Sequence, residues 1–184
     1  MRLLNFGSMN VDHVYQVERF VRPGETISAR RLDHFCGGKG LNQSVALARA
    51  GAETYHAGML GKGGEMLEQM LRESGVKLEH LGVSAEMTGH AIIQVDPSGQ
   101  NNIIIYGGSN QAVTPEYMDS VLSRFGPEDM VLTQNEISNI SYLARRCGEL
   151  GIPLVFNPSP ITRGLLEEFP FEQVSLFLIN EVEG

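Results

Sequence analysis

Short apolar runs typical of buried β-strands alternate along this chain with longer segments typical of helices. The run from Leu3 to Phe6 ends at Gly7, and the Ala- and Leu-rich segment 41–50 is followed by Gly51, where a helix would end. Because parallel neighbouring strands must be joined by crossovers, usually helices, this alternation predicts an α/β fold with a mostly parallel sheet covered by helices. Further strands are predicted at 53–59, 130–133, 153–156 and 176–179, and further helices at 65–74, 115–124 and 138–150.

Two pairs of β-rich runs interrupt this alternation, and each pair flanks a turn sequence. Pro23 and Gly24 lie in the first turn, and Pro97 and Gly99 lie in the second. Because these residue types favour tight turns, each pair predicts a β-hairpin inserted into the α/β alternation. The paired runs are 14–20 with 26–35, and 88–95 with 102–106.

Composition and charge exclude several classes of partner. The 184 residues carry 14 basic and 22 acidic side chains, a formal net charge of −8, so the broad positive field that holds nucleic acid or an anionic membrane is missing. No apolar run approaches the roughly 20 residues that cross a bilayer. Cys36 and Cys147 have no metal-ligand spacing and are predicted to be free thiols. With no signal-peptide core at the N-terminus, the sequence predicts a cytoplasmic protein.

The C-terminal end of the sequence is unusual for a finished α/β fold. The predicted strand 176–179 is followed by the polar cluster 180–183, and the chain stops at Gly184. A parallel sheet would next need a crossover helix and usually another strand. We therefore expect the chain to be the N-terminal part of a longer fold.

Polar side chains follow several of the predicted strands. Asn10 and Asp12 come after the first strand, Glu136 follows the strand 130–133, and Asn157 follows the strand 153–156. Any one of them could be only a turn former or a helix cap. Because ligands of open α/β sheets bind outside the carboxyl ends of the strands, their coincidence at one edge predicts a binding site.

The sharpest motif is GGKGLNQ at 37–43. It is not a phosphate-binding P-loop, because Lys39 is followed by glycine where a Ser or Thr should bind magnesium, and no GxGxxG supports a dinucleotide-binding dehydrogenase. Glycines allow the backbone to turn tightly and approach a ligand, and the following helix offers free N–H groups at its N-terminus. Lys39 and Asn42 add side-chain donors, so the loop is a candidate binding element.

Taken together, the motifs resemble the ribokinase-like (PfkB) family of carbohydrate kinases, and they cover the N-terminal part of a family member in order. The resemblance implies an incomplete large α/β domain over 1–12, 36–87 and 107–184. It also implies a small β-sheet lid over 13–35 and 88–106, built from the two hairpins, that pairs two subunits into a homodimer. The motifs are GSMNVD at 7–12, GGKGLNQSVALARAG at 37–51, GGSN at 107–110, NPSP at 157–160 and NEVE at 180–183.

The resemblance implies ATP-dependent phosphorylation of a sugar hydroxyl, most simply that of ribose, with ATP and Mg²⁺ as cofactors. A monovalent cation is a further implied cofactor, with its site outside this chain. The NxxE element implies that Asn180 and Glu183 organise the nucleotide phosphates, with Glu183 serving magnesium through water. The implied sugar ligands are Asn10, Asp12, Gly38, Lys39, Asn42 and Glu136.

The sequence departs from the family pattern in three places. A family GxD element is replaced by the glycine-rich segment 61–64. Leu41 stands where a small residue is common, which leaves the preferred sugar open. The GAGD signature with the catalytic aspartate does not occur, so the catalytic base is expected outside these residues and the chain alone is expected to be inactive. A nucleoside kinase of the same fold and a non-catalytic sugar-binding or dimerising fragment remain as alternatives.

Overall fold

The computed structural model describes residues 1–181, and its centre is a six-stranded parallel sheet. The order across the sheet is β10-β9-β8-β1-β4-β5. All five pairings between neighbouring strands in this order are parallel. The predicted fold class is therefore confirmed. Its strands are β1 (Leu3–Phe6), β4 (Thr54–Lys62), β5 (Leu81–Met87), β8 (Met130–Gln134), β9 (Leu154–Asn157) and β10 (Leu176–Phe177).

Helices cover both faces of this sheet. Leu4 and Phe6 pack in a core cluster with the third and fourth helices, whereas Asn5 between them donates to Gly40 O in the first helix at 2.7 Å. Because successive strand side chains point to opposite faces, the helices must lie on both sides of β1. They are α1 (Lys39–Arg49), α2 (Glu65–Glu73), α3 (Pro115–Leu122), α4 (Ile140–Leu150) and α5 (Arg163–Glu168).

The two predicted hairpins form a second, four-stranded sheet in the order β3-β2-β6-β7. Each hairpin is antiparallel, and the two are joined by the parallel pairing of β2 with β6. The first hairpin is shifted from its prediction, because β2 begins at Asn10 and β3 only at Arg31. Asn10 and Asp12 therefore belong to a strand of the small sheet rather than to a loop. The strands are β2 (Asn10–Gln16), β3 (Arg31–Gly37), β6 (Gly89–Val95) and β7 (Asn101–Tyr106).

One strand of the large sheet was not predicted. β5 is an edge strand whose side chains are mostly exposed, so its sequence lacks the apolar run of a buried strand. The C-terminal end of β5 accounts for one glycine of the segment 61–64. A Cβ at Gly61 would lie 2.5 Å from both Glu86 O and Thr88 N. The close passage of this backbone excludes a side chain at Gly61.

The opposite edge strand, β10, is two residues long, shorter than predicted. Leu176, Phe177 and Ile179 are 53%, 41% and 54% exposed, so an apolar strip lies at this edge. Of the helices in residues 1–181, none has the length and apolar character to span a membrane. Cys36 and Cys147 are free thiols, as predicted.

Candidate functional site

Asp12 presents a half-buried carboxylate that accepts no hydrogen bond from residues 1–181. It lies two residues beyond Asn10, on the same face of β2. Burial raises the pKa of Asp12, and the negative charge of Glu136 raises it further. A Cβ at Gly37 on the neighbouring strand would lie 2.2 Å from Asp12 Oδ2. Gly37 therefore gives the carboxylate its space, a role that the sequence motif did not reveal.

The glycine loop packs directly against the turn after β1. Gly38 has a φ of +92°, and a Cβ there would lie 2.9 Å from Ser8 O. A Cβ at Gly40 would lie 2.3 Å from Ser8 N, and Leu41 N donates to Ser8 O at 2.9 Å. Glycine is therefore required at Gly38 for conformation and at Gly40 for close approach. The loop is fixed against β1, so it is more than a flexible connection.

Glu136 joins the end of β8 to the beginning of α1. Its carboxylate accepts from Lys39 Nζ at 2.8 Å, from Lys39 N at 3.0 Å and from the Ser8 hydroxyl. A carboxylate at the N-terminus of a helix is favoured by the unpaired N–H groups and the helix dipole. Two side chains that were predicted separately are thus held to each other across 97 positions of sequence.

Asn110 fixes the backbone and side chain at the beginning of β2. It is 2% exposed, it accepts from Met9 N at 3.0 Å, and its Nδ2 lies 3.1 Å from Met9 O and 2.8 Å from Asn10 Oδ1. The residue belongs to the GGSN motif, but its partners are about 100 positions away in sequence. No local pattern could have shown this contact.

Three of these residues, Asn10, Asn110 and Glu136, line a cavity of about 320 Å³ between the small sheet and the carboxyl ends of the large sheet. Gln111 also lines it, and Ile105 of β7 reaches it from the small sheet. Cavities of this size are at the lower end of those that hold small ligands. Of the predicted sugar ligands, Asn10 and Glu136 line this concave surface, and Lys39 is joined to it through its ion pair with Glu136.

Two predicted residues that the structure describes, Asn42 and Asn180, do not line this cavity. Asn42 is exposed on α1, and its side chain makes no hydrogen bond with another residue of the described part of the chain. Asn180 is exposed just after β10, and Glu183 lies outside the described residues. Their roles stay predictions.

Leu41 is not placed to select a sugar. It is 2% exposed and packs in a core cluster with Met9 and Val11. Any effect of this departure on the preferred sugar would therefore act through the core rather than by contact, and it stays a prediction.

A chain of buried polar side chains supports the loop from beneath. Asn5 donates to Gly40 O and to Ser44 Oγ at 2.7 and 2.8 Å, and Gln134 Nε2 donates to Asn5 Oδ1 at 2.9 Å. Ser44 Oγ lies 2.8 Å from His56 Nδ1. Burial lowers the pKa of His56 to about 4, so this imidazole is neutral at pH 7. The network fixes the first turn of α1 from the sheet side.

The described residues do not supply a metal centre. No group of three or more His, Cys, Asp or Glu side chains in residues 1–181 is arranged to hold a metal ion. Magnesium at Glu183 therefore stays a prediction, and no chemical step is derived through it.

The comparisons with known proteins agree with this architecture. The model of the pfkB family carbohydrate kinases matches residues 2–183. The ribokinase of Haemophilus influenzae is 32% identical over 183 residues, which cover 97% of this chain and 59% of that protein. The chain thus spans somewhat more than half of this relative.

Two solved structures share both fold and sequence with the chain. The ribokinase of Cryptococcus neoformans in complex with ADP is 35% identical with a TM-score of 0.84, over 99% of this chain and 57% of that one. The ribokinase of Arabidopsis thaliana complexed with ribose and ATP is 32% identical with a TM-score of 0.74, over 91% of this chain and 58% of that one.

Proposed function

Since the chain belongs to the pfkB family of carbohydrate kinases, we propose that it forms the sugar-binding part of an ATP-dependent kinase that phosphorylates a hydroxyl of ribose. The relatives named ribokinase support the substrate, and the two structures with ADP, and with ribose and ATP, support the nucleotide.

The observation that carries the proposal is the polar pair on β2. Asp12 offers a carboxylate that accepts no hydrogen bond within the described chain, and Asn10 beside it lines the cavity. A carboxylate accepts hydrogen bonds only, so its natural partners are the hydroxyl donors of a sugar. Buried polar groups without partners are costly, which favours a ligand that supplies them. We propose Asn10 and Asp12 as the central sugar ligands.

Lys39 and Glu136 are proposed to act at the rim of the same site. Their ion pair, with the backbone of the glycine loop, holds one ammonium and one carboxylate beside the cavity. Each group keeps hydrogen-bonding capacity beyond the contacts it makes, because an ammonium has three donors and a carboxylate about four acceptor positions. A polyhydroxylated ligand could therefore be bound by Lys39, Glu136 and the Gly38 backbone without breaking the pair. Asn42 is proposed to join them as a second amide contact.

Phosphoryl transfer needs further groups that we do not assign to the described residues. Asp12 and Glu136 are occupied with binding in this proposal, and a base must reach the attacking hydroxyl itself. We propose that the catalytic base, like the Mg²⁺ and monovalent cation sites, depends on residues other than 1–181. The chain's own residues then bind and orient the sugar.

The small sheet is proposed to close over the sugar and to pair two subunits. All six residues of the edge strand β7 are exposed, and Ile103, Ile104 and Ile105 are 48%, 62% and 62% exposed. An exposed apolar edge strand promotes pairing with another chain. The predicted cytoplasmic location and the boundaries of large domain and lid remain predictions.

The test is an ATP-consumption assay of the intact protein with ribose and, in parallel, with adenosine. Consumption with ribose at about 1 to 100 per second, the ordinary range of kinases, supports the proposal. Preference for adenosine would indicate a nucleoside kinase, and ribose binding in calorimetry without ATP consumption would indicate a sugar-binding protein. The 184-residue chain, checked by intact mass, is assayed separately. Turnover in the same range would overturn our placement of the base.

A further inference from the structure

The hydrogen bonds around Asn110 determine which way two amide side chains point. Met9 N is a backbone donor, so the Asn110 atom 3.0 Å from it must be the oxygen. The Asn110 nitrogen then faces Met9 O at 3.1 Å, which can only accept. Both backbone contacts demand the same orientation, so the Asn110 amide is fixed by atoms whose roles are not in question.

This orientation determines that of Asn10. The Asn110 atom that faces Asn10, at 2.8 Å, is a nitrogen and donates, so the Asn10 atom must be its oxygen. The Asn10 nitrogen is left with no hydrogen bond to residues 1–181, and Asn10 lines the cavity.

The pair has little freedom to rearrange, because the backbone of β6 encloses it. A Cβ at Gly89 would lie 2.2 Å from Asn110 Nδ2 and 2.3 Å from Asn10 Oδ1. Asn10 and Asn110 are 6% and 2% exposed, so water cannot easily replace either partner. The bond between the two amides is therefore a built feature of the fold.

We infer that Asn110 is a positioning residue that makes Asn10 a hydrogen-bond donor, so that the site presents opposite polarities to the sugar: an N–H at Asn10 and a carboxylate acceptor at Asp12. The inference rests on the proposed function. One hydroxyl must accept from Asn10, whereas another must donate to Asp12. A hydroxyl group can do both, but a fluorine substituent can only accept, and weakly, and a hydrogen can do neither.

Ribose analogues with a single hydroxyl replaced by hydrogen or by fluorine test this polarity in the intact protein. At the position that faces Asn10, the fluoro analogue should bind about fivefold more tightly than the deoxy analogue, the order of one neutral hydrogen bond. At the position that faces Asp12, the fluoro analogue should bind no more tightly than the deoxy analogue, because fluorine cannot donate a hydrogen bond to the carboxylate. If the fluoro analogue binds no more tightly than the deoxy analogue at every hydroxyl position, the inference is overturned.

Asn110→Asp tests the positioning role itself. The new carboxylate can accept from Met9 N but cannot donate to Asn10, so the Asn10 amide should turn its nitrogen inward and its oxygen toward the cavity. Preference for fluorine over hydrogen should then disappear, although a hydroxyl could still donate to Asn10. Asn102→Asp makes the same substitution at an exposed position of β7 and should keep the preference. Retained preference in Asn110→Asp would refute the role.

A sugar-free measurement separates this inference from the proposed function. In ¹⁵N-labelled protein, both side-chain N–H groups of Asn110 are bonded and should exchange slowly with solvent, whereas those of Asn10 should exchange fast. If ribose does not bind, the proposed function fails, but slow exchange at Asn110 still supports the orientation. Fast exchange at Asn110 would contradict it directly.

Discussion

Asp12 and Glu136 are two electrostatically coupled carboxylates: burial raises the pKa of Asp12, and the negative charge of Glu136 raises it further. If sugar binding requires ionised Asp12, affinity for ribose should fall on acidification with a midpoint above the ordinary value of an aspartate. Glu136→Gln removes the charge and should shift that midpoint to lower pH. Calorimetric titration across pH 4 to 7 measures both midpoints. An unchanged or raised midpoint in Glu136→Gln would contradict the coupling.

Removal of the Asp12 carboxylate should weaken ribose binding by at least about tenfold. The reason is that a hydrogen bond to a charged group contributes about 1.5 to 3 kcal/mol. Calorimetry of Asp12→Ala measures the loss. Asp33→Ala is the matched control, because Asp33 lies on the same sheet but pairs with Arg31 at 2.7 Å, and it should leave affinity within twofold. Equal effects of the two substitutions would contradict the assignment.

Gly37→Ala should reduce ribose affinity with little change in unfolding free energy. The new Cβ would fall 2.2 Å from Asp12 Oδ2, so the carboxylate must move, whereas the backbone needs no left-handed conformation. Gly24→Ala is the opposite case, since its φ is +76° and a Cβ would meet nothing within 4 Å. It should lower stability by about 1 kcal/mol and leave binding unchanged. Calorimetry measures the ribose affinity of both variants, and urea unfolding measures their unfolding free energy. Unchanged affinity in Gly37→Ala would contradict the role given to Gly37.

Acid should destabilise the protein through His56. Its folded pKa of about 4 lies below the ordinary value of 6.5, so between these values the unfolded chain binds more protons and stability falls as the pH falls. The loss is about 1.4 kcal/mol per pH unit, or about 3 kcal/mol across the window. Urea unfolding at pH 7 and pH 4.5 should show a smaller loss in His56→Gln than in the wild type. Equal losses would count against a neutral buried imidazole.

A charge on the exposed edge of the small sheet should separate the proposed dimer. Ile104→Lys places an ammonium in the apolar strand β7. The control Val83→Lys adds the same charge to the large sheet, at an 86% exposed position of β5. Sedimentation of the intact protein at tens of micromolar should give a dimer for the wild type and Val83→Lys, and a monomer for Ile104→Lys. A wild-type monomer would rule out the proposed pairing.

The sequence predicted the elements of the large sheet well wherever hydrophobic periodicity was strong. It missed β5, because an exposed edge strand has no apolar run to reveal it. It also identified the residue types around the cavity without their partners. The Lys39–Glu136 pair and the Asn110–Asn10 pair join positions 97 and 100 apart, and such contacts depend on how the sheets meet rather than on local pattern.

Only residues 7–9 separate β1 from β2, and β2 carries Asn10 and Asp12 into the small sheet. The central sheet and the sheet proposed as a cover are therefore joined by a short link at the point where the sugar is proposed to bind. If the small sheet closes as proposed, its closing and sugar binding would share one equilibrium, because a ligand that contacts β2 shifts the conformational population by its difference in affinity for the open and closed positions. Variants far out on the small sheet could then alter substrate affinity without touching the substrate.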